Sequence, residues 1–541
     1  MGFTVFENGV FHTLVAGASA PHGPTSLVVS GESIAFMGSS AECRDLTGGR
    51  HETIDLGGAH VVPGFADSHL HTAQLALQST ELNLSSAISL EQALALVTEH
   101  IARRNTPSSS ALNDSAGDWV FGGRWNNRVW ADTEVPTRWQ LDTVTGGIPV
   151  ALHHGDLHTY WVNSAALSRM GITRDTPDPV GGSIVRDADG EPTGILGEAA
   201  AFAAERFFAP LTSTDLDATI EHTLQGLLAH GITTIHDIDG TDAHRAFRTL
   251  HTAGRLPLRV QKLMPVAELD ALLDAGIRSG DGDSMLRYGA VKIFGDGSLS
   301  SHTCLLHEAY PAQPDNTGIA VTPPELLDSL VERCNAAGLA AAVHAIGDGA
   351  VSNALSALER VSGPGASRSI LPNRIEHVQH IAPSDVARLG ALPVVACMQP
   401  ASCTSDIDMV DQILWGRDLG SYAWRSILDA GGTLAFSSDA PVESTNPFTG
   451  IFAAVTRQRP GGYPTGGWQP EQRASRAEAF AAYTSGPAVA SAESRIKGRL
   501  APGFLADFAV LDRDPFSVDD TALLDTTIAL TVVGGIVRWA R

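Results

Sequence analysis

The stretch "VVPGFADSHLHTA" (residues 61–73) decides how the rest of the chain is read. An apolar run passes through Pro63-Gly64 and ends in His69 and His71, with Asp67 beside them. On a strand, a spacing of two sets both imidazoles on one face. That spacing carries little weight alone, because 20 histidines in 541 residues give about one such pair by chance. What matters is whether other strands end in comparable residues.

Working outward, seven more apolar, β-branched runs follow, and helical patterns lie between them: "GITTIHDID" (231–239), "PLRVQKLM" (257–264), "YGAVKIFGDG" (288–297), "LAAAVHAIGDG" (339–349), "NRIEHVQH" (373–380), "LPVVACMQP" (392–400) and "GTLAFSSDAP" (432–441). The helical stretch "PPELLDSLVERCNAAG" (323–338) opens on proline, closes on Gly338 and puts Leu326, Leu327, Leu330, Val331 and Cys334 on one expected face. Eight buried strands alternating with helices indicate an α/β fold, a (β/α)8 TIM-like barrel, in preference to an open doubly wound sheet. No glycine fingerprint of a dinucleotide fold accompanies them.

Both chain ends read differently. "FTVFENGVFHTL" (3–14), "SLVVSGESIAFMG" (26–38) and "HETIDLGGAHVV" (51–62) are strand-like, as are "ADFAVLDRDP" (506–515) and "IALTVVGGIVRWA" (528–540), the last with a hairpin turn at Gly534-Gly535. Isolated hairpins are barely stable in water, so the two ends are expected to pair into one small composite β-sandwich. The expected division is 1–63 and 498–541 for the sandwich and 64–497 for the barrel. The stretch of about 75–225, too long for a loop, forms a subdomain inserted after the first barrel strand. It contains a helix from Ser89 with Gln92 in a capping box, a polar loop at 105–118, strand-like runs "DWVFGGRW" (118–125) and "PVALHHGD" (149–156), and a turn at "RDADGEPTG" (186–194). An insertion at the C-terminal end of a barrel strand is expected to overhang the active-site mouth.

Composition bounds the partners. The chain is 43% apolar and 18% charged, with a formal net charge of −24 and no basic stripe, which disfavours nucleic acid and anionic membranes. Five cysteines without a C-x-x-C argue against a disulfide framework and a cysteine zinc knuckle. No basic leader and no long apolar span are evident, so a cytoplasmic protein is expected.

Barrel chemistry sits at the C-terminal strand ends. There the sequence places His69 and His71 (strand one), Lys292 (strand four), His344 (strand five), His377 (strand six) and Asp439 (strand eight). Each alone reads as a hydrogen-bonded core residue or an ion-paired lysine. Together, six costly polar groups on one rim must satisfy one another or a cation, and neutral imidazoles with a carboxylate are zinc-type ligands.

This ordered set, framed by a split β-sandwich, resembles the amidohydrolase superfamily. "HHGDLHTYWVNSAAL" (153–167), "GGSIVRDADGEPTGIL" (181–196), "VHAIGDGAVSNALSALE" (343–359), "RIEHVQHI" (374–381) and "KGRLAPGFLADFAVLDRDP" (497–515) are similar to the branch that contains N-substituted formamide deformylases. The resemblance spans nearly the whole chain. It implies that His69, His71 and Asp439 bind a more buried metal, that His344 and His377 bind a more exposed one, and that Lys292, carboxylated, bridges them. It further implies two divalent ions per chain, zinc first among them, with one ion as the alternative. The implied reaction is hydrolysis of an amide-like C–N bond by metal-bound hydroxide, with Asp439 as general acid and base. A deaminase of cyclic amidines on the same scaffold is the alternative, and a non-catalytic binding protein the second.

Weaker signals complete the reading. His158 and Asp296 are candidate substrate-binding residues, although Asp296-Gly297 also reads as a turn and Asn163 as a helix cap. His380, three residues past His377, is expected on the opposite face in a structural role. Trp125, Trp130 and Trp161 are expected to line an apolar pocket for the substrate. "AIGDGA" lacks the lysine and hydroxyl of a P-loop, and neither a G-x-S-x-G elbow nor H-E-x-x-H is present. The expected partners are a small-molecule substrate and a second copy of the chain, as a dimer.

Overall fold

The computed structural model describes residues 2–14, 23–78, 82–104, 119–130, 135–155, 158–179, 181–205, 213–363, 365 and 367–541. The expected polar loop at 105–118 lies outside them. The chain divides into two compact units, one of 1–72, 220–295 and 322–541, the other of 73–219 and 296–321.

In the first unit, eight parallel strands follow one another around the sheet in chain order: Phe65–Leu70, Ile232–Asp237, Arg259–Pro265, Leu286–Phe294, Ala341–Ala345, Asn373–His377, Val394–Met398 and Thr433–Phe436. Most of their residues are buried, because helices and barrel interior cover opposite faces, which is why they read as continuous apolar runs without alternation. The Pro-Gly before strand one has a steric reason: a Cβ on Gly64 would sit 2.3 Å from Thr233 Oγ1 of the neighbouring strand. The seam between strands eight and one is bridged just beyond the strand ends. There Asp439 N donates to His69 O (2.8 Å) and His71 N to Ala440 O (2.8 Å). Helix Pro324–Ala336 has proline in its first turn and buries Leu327, Val331 and Cys334. Leu326, expected on that face, is instead exposed, since it stands one step round the helix from Leu327.

Both chain ends meet in the same unit. A five-stranded sheet runs in the order Val10–Phe11, His60–Pro63, Phe508–Leu511, Ile528–Val533, Ile536–Ala540, and a four-stranded sheet contains Phe3–Glu7, Ser26–Ser30, Ser33–Gly38 and His51–Asp55. Phe6, Leu27, Val29 and Ile34 of the second sheet share a core with Phe508, Val510 and Val532 of the first. Phe6 and Phe508 meet edge to face, centroids 4.9 Å apart. Gly534 and Gly535 both take positive φ (57° and 76°) in the final hairpin turn, as a type I′ turn requires. Buried Arg259 of barrel strand three ties sandwich to barrel through Asp507 Oδ2 and Oδ1, at 2.7 and 3.0 Å.

The second unit holds a six-stranded sheet in the order Gly182–Arg186, Pro192–Glu198, Thr159–Val162, Val150–His154, Val120–Trp125, Leu82–Asn83. Residues 296–321, which follow barrel strand four in the chain, belong to this unit. Ser89 caps helix Leu90–Arg104 by accepting from Gln92 N (3.2 Å), while Gln92 Oε1 accepts from Ile88 N and not from Ser89. Its core is where the structure departs from expectation. Trp125, Trp130 and Trp161, expected to line a substrate pocket, are buried in a hydrophobic core with Leu141, Val150 and Leu152. Trp125 Nε1 donates to Leu152 O and Trp161 Nε1 to Thr137 O, both at 2.9 Å, so their polar ends are satisfied by backbone within the unit. No helix among the described residues is long and apolar enough to cross a membrane, and all five cysteines are buried thiols outside any disulfide.

Candidate metal centre

At the C-terminal end of the barrel, three imidazoles are held from behind. His69 Nδ1 lies 2.5 Å from Glu376 Oε2, His71 Nδ1 2.9 Å from Asp239 Oδ1, and His377 Nδ1 2.8 Å from Gln399 Oε1. An acceptor at Nδ1 fixes the ring proton there and leaves the Nε2 lone pair facing outward, the tautomer a metal ligand needs. The Nε2 atoms of His69 and His71 stand 3.3 and 3.5 Å from the same oxygen, Asp439 Oδ1. The His377 ring centre is 4.8 Å from that of His69 and 4.5 Å from that of His344. One donor atom each from His69, His377 and Asp439 fall within 4.8 Å of one another. Separations near 3.3 Å are what tetrahedral bonds of about 2.0–2.2 Å produce, so the donor set fits a divalent first-row ion.

Ladder register explains part of this convergence. Phe294 pairs with His344, and His344 with Glu376, so Lys292, Phe294, His344 and Glu376 share one face. Strands one and six are not neighbours, so the His69–Glu376 contact crosses the barrel interior and identifies that face as inward. By alternation His377 would point the other way. Its backbone instead takes φ of 73°, followed by Val378 at 43°, and the chain turns at the rim. Asp439 is likewise left-handed, at φ 56°. Two candidate ligands in a sparsely populated region mark a place where the surroundings impose the backbone, and such positions concentrate at functional sites.

Burial sets the charges. It holds the His69 imidazole well below its ordinary range, and Lys292 and His377 add to that effect. His71 goes the other way: burial opposes its charged form, but the bond to Asp239 and that carboxylate's charge outweigh it. The Lys292 amine is pushed down to about 8, chiefly by burial, with Glu376 and Asp439 acting against it. Its Nζ lies 4.9 Å from the Phe294 ring centre, and no described carboxylate of this unit is within ion-pair distance. Glu376 is itself held by buried Arg374, whose Nε is 2.5 Å from Oε1.

The five imidazole and carboxylate candidates, His69, His71, His344, His377 and Asp439, thus stand together on one rim, with Lys292 on the same inner face. His158 and Asp296 belong to the second unit. There His158 Nδ1 lies 2.8 Å from Glu198 Oε2, whose other oxygen accepts from Ser301 and Thr303 hydroxyls. Asp296 Oδ2 accepts from Leu305 N (2.9 Å). Asn163 caps helix Ser164–Met170 by accepting from Ala166 N, and His380 is buried against Ser421 Oγ. Sequence reasoning passed over Asp239, Glu376, Gln399 and Glu198. It also passed over Asp237, which pairs with buried Lys262 at 2.8 Å and takes Thr72 N at 3.0 Å. The signal for Asp237, Asp239 and Lys262 was the one used for Lys292: charged residues at the ends of, or within, apolar strands.

Comparison with known proteins agrees with this architecture. The profile of the amidohydrolase family matches residues 52–538, and the chain belongs to that family. YtcJ of Bacillus subtilis is 32% identical over 497 residues, 91% of each chain. The N-substituted formamide deformylase of Arthrobacter pascens is 29% identical over 534 residues, 95% of each chain. A solved uncharacterised metal-dependent hydrolase from Pyrococcus furiosus superposes with a TM-score of 0.73 at 30% identity, covering 95% of this chain and all of that one.

Proposed function

We propose that this chain is a metal-dependent hydrolase that cleaves an amide-like C–N bond, with small N-substituted formamides as its first substrates. The observation that carries the reading is the pair of imidazoles, His69 and His71, each anchored at Nδ1 by a carboxylate and each presenting Nε2 to one Asp439 oxygen. The similarity to a formamide deformylase along the whole chain directs the choice of substrate. His69, His71, His344, His377 and Asp439 would hold one or two divalent ions, zinc first among them. A divalent ion bound there lowers the pKa of water towards neutrality and polarises the substrate carbonyl.

The chain's own groups supply the remaining chemistry. Asp439, partly exposed at the rim, accepts a proton from the attacking water and returns it to the departing nitrogen. Glu376 and Asp239 keep His69 and His71 in the ligating tautomer. Lys292, lowered to about 8, is roughly one-tenth free amine at pH 7, far more than an exposed lysine. That free amine can add carbon dioxide: an Nζ–C bond forms, one proton leaves, and an anionic oxygen donor replaces a buried cation. The test is a panel assay of purified, metal-supplemented protein that measures formate and ammonia separately. Formamides of bulky amines should yield formate and free amine. Ammonia released only from cyclic amidines would replace this reading with a deaminase, and no product from either class would remove the C–N assignment.

A further inference from the structure

A second group of potential ligands lies away from the barrel rim, on the β-sandwich, and its argument is independent of the proposed reaction. His12 follows strand Val10–Phe11, His60 opens strand His60–Pro63, and Asp514 follows strand Phe508–Leu511. The ladders bring them together. Val10 pairs with His60, His12 N donates to Val61 O at 2.8 Å, and Leu511 pairs with His60 on the other side. His12 Nε2 is 3.0 Å from His60 Nδ1 and 3.5 Å from Asp514 Oδ1, and His60 Nδ1 is 4.0 Å from that same oxygen. These separations bracket the ~3.3 Å edge of a tetrahedral site with ~2.0–2.2 Å bonds.

We infer that His12, His60 and Asp514 form a metal site on the sandwich that takes a zinc-class divalent ion and fastens the N-terminal strands to the C-terminal ones. The three side chains are 18, 20 and 29% exposed, so an ion can reach them and water can complete its coordination. Two imidazoles and one carboxylate suit zinc, copper or nickel and not calcium or magnesium, which require more oxygen ligands. Without metal, one of the facing nitrogens donates its proton to the other; with metal, the donating ring would carry its proton on its far nitrogen instead, so that both facing lone pairs are available to the ion.

The experiment uses the full chain equilibrated with zinc and crystallised, with anomalous difference maps recorded at the zinc edge. A peak bonded to His12, His60 and Asp514 is expected. In solution, metal-stripped protein titrated with zinc should bind about one ion per chain more than Asp514→Asn or His12→Gln. Both variants should retain the wild-type circular dichroism spectrum. A His69→Ala protein should keep this ion, which separates its loss from a failure of the barrel site. No anomalous peak at the triad, equal zinc stoichiometry in wild type and folded variants, or binding only at millimolar zinc would overturn the inference.

Discussion

At the barrel rim, His69 and His71 reach Asp439 through Nε2 while Glu376 and Asp239 hold their Nδ1 atoms; on the sandwich, His12 and His60 lean on each other beside Asp514. Residue types are the same, yet the surroundings differ. His69 is buried and Glu376 is in turn held by Arg374, so ring orientation is fixed through successive layers. The sandwich triad is partly exposed, and the ladder positions its backbone, whereas its rings are held chiefly by one shared hydrogen bond. A metal site built for chemistry needs the first arrangement, because fixed ligands leave the ion's remaining positions to substrate. A clip that only joins two chain ends can use the second.

Five substitutions probe this contrast. Asp439→Asn should lower turnover by roughly 10²-fold or more while most metal is kept, measured by steady-state kinetics beside metal analysis. His69→Ala should lose metal as well, and near-normal turnover in Asp439→Asn would withdraw the proton-transfer role. Lys292→Ala should lower both metal content and activity strongly, from about two ions per chain, with partial rescue by a short carboxylic acid. One ion per chain with an unmodified lysine in density would instead mean a single-metal centre. Next, Asp239→Ala, which frees the His71 ring, should weaken barrel metal affinity by about 10–100-fold in a competition titration against a chelator. Unchanged affinity would mean that Asp239 does not orient His71. The smallest effect belongs to the sandwich: His12→Gln should leave turnover within about twofold of wild type and remove only part of the zinc-induced rise in Tm. A large loss of turnover there would break the distinction between the two groups.

Much of the fold was legible because the barrel strands declare themselves locally. Each is a short β-branched run, and "GITTIHDID" or "LPVVACMQP" needs no partner to be recognised. The ligand candidates were legible for a related reason, since a histidine or lysine amid such a run is conspicuous. Reading failed where a residue's role depends on what lies opposite. Trp125, Trp130 and Trp161 look like pocket aromatics in sequence, but the second unit uses them as core. Leu326 fits a helical apolar stripe and still ends up in solvent.

His377 shows the limit most plainly, because strand alternation alone would have turned it away from the interior that Glu376 faces. The left-handed turn at the strand end brings it back beside His69 and His344. What the sequence determined by itself was the order of strands and helices and the set of polar residues at their ends, since periodicity and residue type act over a few neighbours. Only the tertiary structure decided which of them converge and what anchors them. The Glu376 carboxylate that holds His69 lies 307 residues away along the chain, and such a contact exists only once the barrel has brought strands one and six to face each other across its interior.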